Sequence, residues 1–394
     1  MTEINRLLPT WSLNEAEPTG PMTFITGPRQ VGKTYLVKNF SDRYFNWDTS
    51  EVKKAFLKDP YFFRDDSQKN KIVIFDEIHK KRNWKTLMKG YYDSSNRNED
   101  FIVTGAGRFD QYVKGGDSLQ GRYFSYKLWP ITFDEVLGAR HVTPPRNFSD
   151  WTPGNKNRSD KLEELMAFGG FPEPYLKGRE QFTRKWNDMY LQRLVYEDVC
   201  DFATTQNLDK IELMARLLPE RLTSPISYKS LGEDLEVSPI TIKSWLRLLE
   251  TLYLGFFVPP FHQKIHRAVK REQKWYFYQW TMAEAIGAKF ENFMAVQLSA
   301  ACSAWREQGH GRYELFYLRD QDKREVDFLI AKDLRPQCII EIKAAPAPWP
   351  SGLNFYANKL KIPAYLIYPE GPTRKVDNGI AMSADLFLKG LIGN

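Results

Sequence analysis

The stretch Gly27-Pro28-Arg29-Gln30-Val31-Gly32-Lys33-Thr34 reads as G-x-x-x-x-G-K-T, a pattern suited to wrapping a nucleotide's phosphates. Met22-Thr23-Phe24-Ile25-Thr26 before it is short, apolar and partly β-branched, as a buried strand is. Tyr35-Leu36-Val37-Lys38-Asn39-Phe40 after it carries apolar residues at helical spacing. Strand, glycine loop and helix are the setting this pattern needs. The glycines let successive N–H groups turn inward where a Cβ would obstruct. The helix points its positive end at the same charge. Lys33 is placed to reach the β- and γ-phosphates, and the Thr34 hydroxyl to take one site on Mg²⁺.

Further along comes Lys71-Ile72-Val73-Ile74-Phe75-Asp76-Glu77, with the unbroken apolar run of a parallel strand buried on both faces. Its two carboxylates emerge at the C-terminal end, where open α/β sheets bind ligands. Asp76 can hold Mg²⁺ through the ion's water shell, and Glu77 can polarise an attacking water. Phe101-Ile102-Val103-Thr104 reads as a third buried strand, and Tyr44-Phe45-Asn46-Trp47-Asp48 as another. Thr104 is either a sensor of the γ-phosphate or a threonine closing its strand. Arg108, Arg122 and Arg193 are each candidates to reach the phosphates or ordinary surface arginines. No guanine-reading Asn-Lys-x-Asp run occurs, which favours ATP over GTP.

The whole chain bounds these readings. Its 394 residues exceed one ordinary core, so two or three domains are expected. Charged residues make up 27% and hydrophobic ones 42%, a globular rather than disordered composition. Three scattered cysteines form neither a disulfide framework nor a zinc spacing, and no apolar run is long enough to span a membrane. With no signal-like N-terminus, a cytoplasmic protein without a membrane partner is expected. Net charge is +7, a lean toward polyanionic partners. The oligomeric state stays open.

Residues 226–278 read as a winged helix-turn-helix. Ser238 and Pro239 start a second helix whose stripe is Ile242, Trp245, Leu246, Leu249 and Leu252, with Lys243, Ser244 and Arg247 off it. A basic stretch over residues 264–274 (Lys264, His266, Arg267, Lys270, Arg271, Lys274) runs into Trp275-Tyr276-Phe277-Tyr278. Basic groups beside aromatics suit DNA, and a solvated hairpin beside a core strand explains them equally.

Residues 288–368 hold a second constellation: Glu291 opening a helix, Asp327 on a strand, and Glu341 and Lys343 two apart on the next strand. Residues two apart on a strand share a face, so Glu341 and Lys343 project together and Asp327 can meet them. Carboxylates that hold Mg²⁺ beside a lysine are the equipment for cutting a phosphodiester. Ordinary salt bridging between Asp327, Glu341 and Lys343 is the other reading.

Taken together, the chain resembles a bacterial and archaeal family of AAA-type P-loop ATPases that carry a C-terminal winged helix and a PD-(D/E)XK nuclease-like domain. The likeness covers residues 22–368 and rests on residues 26–34, Phe75-Asp76-Glu77-Ile78, Glu325-Val326-Asp327-Phe328 and Ile340-Glu341-Ile342-Lys343. It implies an α/β parallel-sheet P-loop domain over residues 1–150, a helical lid and winged helix over 151–280, and an α/β nuclease-like domain over 281–394. It also implies ATP and Mg²⁺ as cofactors, held by Gly27, Pro28, Arg29, Gln30, Val31, Gly32, Lys33 and Thr34 with Asp76, and Glu77 as the catalytic acid. Glu291, Asp327, Glu341 and Lys343 match its nuclease-like motif, the first three as metal ligands. The expected function is ATP hydrolysis coupled to binding or processing DNA. The alternative is a nucleotide-dependent switch for a protein partner, with a silent nuclease-like domain.

Overall fold

A computed structural model describes residues 4, 6, 20–64, 71–95, 99–105, 119, 121–139, 142–145, 148, 159–202, 207–262, 272–376 and 378–391. The chain divides into two units: Leu8–Leu128, and Met1–Leu7 together with Trp129–Asn394. The boundaries expected near 150 and 280 both fall within the second.

The first unit is built on β1 (Met22–Thr26), β2 (Tyr44–Asn46), β3 (Ile72–Asp76), β4 (Asp100–Thr104) and β5 (Tyr123–Lys127). All pair in parallel, in the order β2-β3-β4-β1-β5. The three central strands are the unbroken apolar runs, because both of their faces are covered. Parallel neighbours need long crossovers, here carrying the helices Ser50–Lys58 and Trp84–Ser94. The core beneath is aromatic: Phe63 packs edge-on against Phe75 at 5.3 Å and Tyr91 at 4.7 Å. With β4 between β1 and β3, the C-terminal ends of the three strands lie side by side. Asp76 is therefore in register with Thr104.

The helix after the glycine loop is shorter than its apolar spacing predicts. It covers Lys33–Val37, and the chain then tightens into i→i+3 turns, Asn39 N donating to Leu36 O and Phe40 N to Val37 O. Five aligned peptides make a small dipole, so anion binding falls to the loop's N–H groups and Lys33.

In the second unit, helices Ser159–Phe168, Pro172–Lys177, Glu180–Arg193 and Leu208–Leu217 precede a tighter pair, Tyr228–Leu235 and Pro239–Thr251. Ser238 caps the last of these by accepting from Thr241 N at 3.1 Å. Gly232 has to lack a Cβ, since one would come within 2.6 Å of the Val237 carbonyl oxygen where the turn folds back. Ile242, Trp245, Leu246, Leu249 and Leu252 are buried, and Lys243, Ser244 and Arg247 face out, as the stripe predicts. An antiparallel ribbon follows, β6 (Gly255–Val258) with β7 (Lys274–Phe277).

The rest of this unit is a mixed sheet of β8 (Tyr313–Arg319), β9 (Glu325–Lys332), β10 (Arg335–Ile342), β11 (Ala364–Tyr368), β12 (Arg374–Val376) and β13 (Gly379–Ser383). Its order is β12-β13-β11-β10-β9-β8. The long helix Ile286–Glu307, apolar nearly all round, packs on β8 and β9. The helix Ser351–Leu360 packs on β9, β10 and β11. Among the described residues, no helix is long and apolar enough to cross a membrane.

One buried acid in this unit has a measurable cost. Glu135 closes a capping box with Thr132 and pairs with Arg6 at 3.0 Å. The adjacent Asp134 is buried, and its Oδ1 has no hydrogen-bond partner among the described residues. Burial, then the Glu135 charge, pushes the Asp134 carboxyl up to about 8. The folded chain thus keeps a proton that the unfolded chain releases near pH ~3.9, so this group's stability contribution falls as pH rises from about 4 to about 8. Asp134→Asn is expected to flatten that slope and raise the melting temperature at pH 9 more than at pH 5. Thermal melts across that range check it, and parallel curves for the two proteins would refute it.

Candidate functional site

The glycine loop is shaped by its backbone. Gly27 (φ 142°), Gln30 (φ 63°) and Gly32 (φ 103°) all take positive φ, and a Cβ on Gly27 would be driven into the Leu128 carbonyl. Val31 is buried and anchors the loop on the core, while Pro28, Arg29 and Gln30 span the turn. The buried Lys33 Nζ donates to Gly27 O at 2.9 Å and Pro28 O at 2.7 Å, so the ammonium lies inside the loop.

The Asp76 carboxylate is 1% exposed, and three hydroxyls from three elements donate to it. Thr34 Oγ1 donates to Oδ2 at 2.8 Å, Tyr44 OH to the same oxygen at 2.5 Å, and Thr104 Oγ1 to Oδ1. Burial, then the bond to Asp76, raises the Tyr44 hydroxyl's pKa and keeps it a donor. Thr104 therefore sits beside the carboxylate, and Tyr44 is a site residue that the sequence reading took only as part of a strand. Its signal was positional: it starts the strand that ends in register with Asp76.

Glu77 follows β3 in a left-handed turn (φ 56°) and donates its backbone N–H to Thr104 O at 3.0 Å. Burial makes its carboxyl more basic than an ordinary glutamate, against the opposing pull of Lys33. His79 Nδ1 lies 3.6 Å from Glu77 Oε2. Burial, then Lys80 and Lys33, pushes that imidazole down to about 4, so it meets Glu77 as a neutral ring at pH 7. Arg122 is held by Asp93 at 2.8 Å, Arg193 is exposed at its helix end, and Arg108 lies outside the described residues.

A second cluster of charge lies in the larger unit. Glu291 and Asp327 meet there around a lysine, while Glu341 pairs with Lys343. Lys274 Nζ is 2.7 Å from Glu325 Oε1 and 3.4 Å from both Glu291 Oε1 and Asp327 Oδ1. Tyr276 OH donates to Glu291 Oε1 at 2.7 Å, Ile342 N to Asp327 Oδ2 at 2.9 Å, and Lys343 Nζ to Glu341 Oε1 at 2.6 Å. Burial and the neighbouring Asp327 raise the carboxyls of both Glu291 and Glu341. Burial opposes the charge on Lys274, yet Glu291, Asp327 and Glu325 outweigh it and push the ammonium's pKa up. Among the described residues no group of three or more His, Cys, Asp and Glu side chains is arranged to hold a metal ion.

The basic-stretch reading is thereby corrected at its end. Lys274 is 0% exposed and faces carboxylates, and Trp275, Tyr276, Phe277 and Tyr278 are buried rather than offered to bases. Lys264, His266, Arg267, Lys270 and Arg271 lie outside the described residues. Neither Lys274 nor Glu325 was among the residues expected to form the cluster with Glu291, Asp327 and Glu341. Lys274 and Tyr276 share one face of a strand buried on both sides, and no alternation of polar and apolar residues marks it in the sequence.

Comparison with known proteins agrees with the first unit. Residues 19–137 match the AAA domain family. Residues 159–291 and 286–387 match two domains of unknown function, DUF8612 and DUF4143. Among curated proteins, an uncharacterised protein of Methanocaldococcus jannaschii is 25% identical over 327 residues, covering 78% of this chain and 71% of its own. A second from that organism is 23% identical, covering 69% and 61%, and one from Haemophilus influenzae is 23% identical, covering 68% and 70%. Among solved structures, a Thermotoga maritima RuvB variant aligns at TM-score 0.29 and 12% identity, over 63% of this chain and 84% of its own. The Bacillus subtilis DNA clamp loader delta protein aligns at 0.27 and 10%, over 61% and 86%. Likeness at those scores is no guide to function. The family match and the five-stranded parallel sheet make the first unit an AAA-type P-loop ATPase domain, equipped for ATP binding and hydrolysis.

Tyr44 then has a testable place. Removing its hydroxyl leaves the Asp76 carboxylate one donor short, and a hydrogen bond to a charged group is worth about 1.5–3 kcal/mol. Tyr44→Phe is expected to shift the Mg²⁺ concentration giving half-maximal ATP turnover by about 3–10-fold, well inside what that energy allows. A Mg²⁺ titration of ATPase rate reads this, and an unmoved midpoint would remove Tyr44 from the site.

Proposed function

We propose that the chain is a Mg²⁺-dependent ATP hydrolase that uses turnover to control its hold on DNA. The hydrolase half rests on one observation: Lys33, Thr34 bonded to Asp76, and Glu77 converge at the C-terminal ends of β1 and β3, which flank β4. The donors fit the cofactor, with an ammonium and inward N–H groups for phosphate and a hydroxyl beside a buried carboxylate for hydrated Mg²⁺. Lys33 gives up the Gly27 and Pro28 carbonyls for β- and γ-phosphate oxygens. Thr34 and Asp76 hold the ion, which when bound neutralises charge on the phosphates. Glu77, made more basic by burial, takes a proton from the attacking water. The water oxygen bonds to the γ-phosphorus as the bond to the bridging oxygen breaks, releasing ADP and phosphate.

The DNA half is supported by the net charge of +7 and by Lys243 and Ser244, exposed on the second helix of the pair. A protein partner is the second reading, and the same helix favours it in part. Arg247 is occupied, bonded to Glu250 at 2.6 Å and Gln273 at 3.0 Å and stacked 4.7 Å from the Phe257 ring centroid. Ile240 is 81% exposed at the helix start. An exposed apolar side chain there suits a protein better than a phosphate backbone.

Lys33→Ala is expected to abolish saturable ATP binding. Glu77→Gln is expected to keep binding and lose about 10²–10⁴ in kcat. Undiminished turnover in either would sink the hydrolase. DNA affinity measured across salt concentrations separates the partners. A steep fall that Lys243→Ala makes shallower by about 0.9 per lost phosphate contact belongs to DNA, and no salt-sensitive binding leaves the protein partner.

A further inference from the structure

The carboxylates of the second cluster come from three elements. Glu291 is on the long helix, Glu325 and Asp327 are on β9, and Glu341 is on β10. A divalent cation needs oxygens at about 2.0–2.6 Å with lone pairs turned toward one point. The oxygens here are turned toward an ammonium. Glu291 Oε1 and Asp327 Oδ1, the pair a metal would bridge, each lie 3.4 Å from Lys274 Nζ. The other Asp327 oxygen is taken by the Ile342 N–H and one Glu341 oxygen by Lys343, so that of the cluster's buried oxygens only Glu341 Oε2 is left without a partner among the described residues, too few oxygens for a divalent ion. Lys274 cannot leave cheaply. Its backbone is fixed in the ribbon opposite Val258 and bridged to Pro225, and its side chain is fully buried. A buried ammonium without carboxylates is among the costliest groups a fold can hold. The metal that a nuclease-like fold implies therefore does not fit these residues.

We propose that Lys274 is the resident cation of this cluster: its ammonium stands between Glu291 and Asp327 where a metal would, ties the β6–β7 ribbon to the helix and sheet, and leaves the cluster unable to bind a divalent ion or cut a phosphodiester. This does not rest on the ATPase reading, which has its own test in Lys33→Ala. Lys343 beside Glu341 then serves as a structural ion pair.

Mn²⁺ binding measured by calorimetry without nucleotide tests the assignment, comparing wild type, Asp327→Asn, Lys274→Ala and the double variant. Wild type and Asp327→Asn are expected to give the same isotherm. Lys274→Ala is expected to gain one Mn²⁺ per chain, with a higher melting temperature in Mn²⁺ than in EDTA, and the double variant to lose both. A wild-type Mn²⁺ site that disappears in Asp327→Asn would overturn the proposal, as would Mn²⁺-dependent plasmid nicking lost in that variant. A folded Lys274→Ala that gains no Mn²⁺ would overturn it too. Should Lys274→Ala not fold, the wild-type and Asp327→Asn isotherms still decide.

Discussion

A carboxylate removed from water has to be given donors, and Asp76 receives them from three parts of the chain at once. Thr34 arrives from the helix after the glycine loop, Tyr44 from β2 and Thr104 from β4. The observed order keeps all three hydroxyls in reach, with β4 between β1 and β3 and β2 flanking β3 on its other side. The strand order, the glycine loop's position and the exit of Glu77 into its left-handed turn are thus linked through one buried charge. Aromatic packing under the sheet supplies the burial that makes the charge costly, and so makes its partners specific.

That linkage explains what could be read in advance. The central strands announce themselves because a parallel strand covered on both faces is an unbroken apolar run, and β1, β3 and β4 fall where those runs predict. β5 was not visible. It is an edge strand whose Phe124 is exposed and whose Ser125 and Lys127 are only half-buried, so neither an apolar run nor a clean alternation marks it. β12 and β13 escaped notice for a similar reason, the first exposed throughout and the second opening on glycine. The phosphate loop was legible because its glycines answer a backbone demand that few other residues meet. Tyr44 was not, because its role comes from a register between strands far apart in the chain.

Lys274 shows the opposite failure, a residue read in the wrong solvent. A lysine that follows Lys270 and Arg271 in sequence looks like the last of a basic run. Its place on β7 is decided instead by pairing with Val258, which turns it inward beside Tyr276. One-dimensional charge clustering assumes a shared exposure, and β7 is buried on both faces, so its first residue leaves solvent whatever precedes it in sequence.

The two acidic centres differ in how their charge is met, and the difference separates what each can do. Asp76 is satisfied by hydroxyls, which are dipoles: they make burial tolerable and leave a full negative charge for a cation to use. The cluster of Glu291, Glu325 and Asp327 is satisfied by an ammonium, which cancels charge as well as supplying hydrogens. A second cation entering there would meet Lys274's field at close range and would have to displace it from the carboxylate oxygens it already holds. Shared residue types, acids at strand ends with a lysine nearby, thus describe two physically opposite sites. Lys33 turns its ammonium to the carbonyls of its own loop, whereas Lys274 spends its charge on the acids themselves.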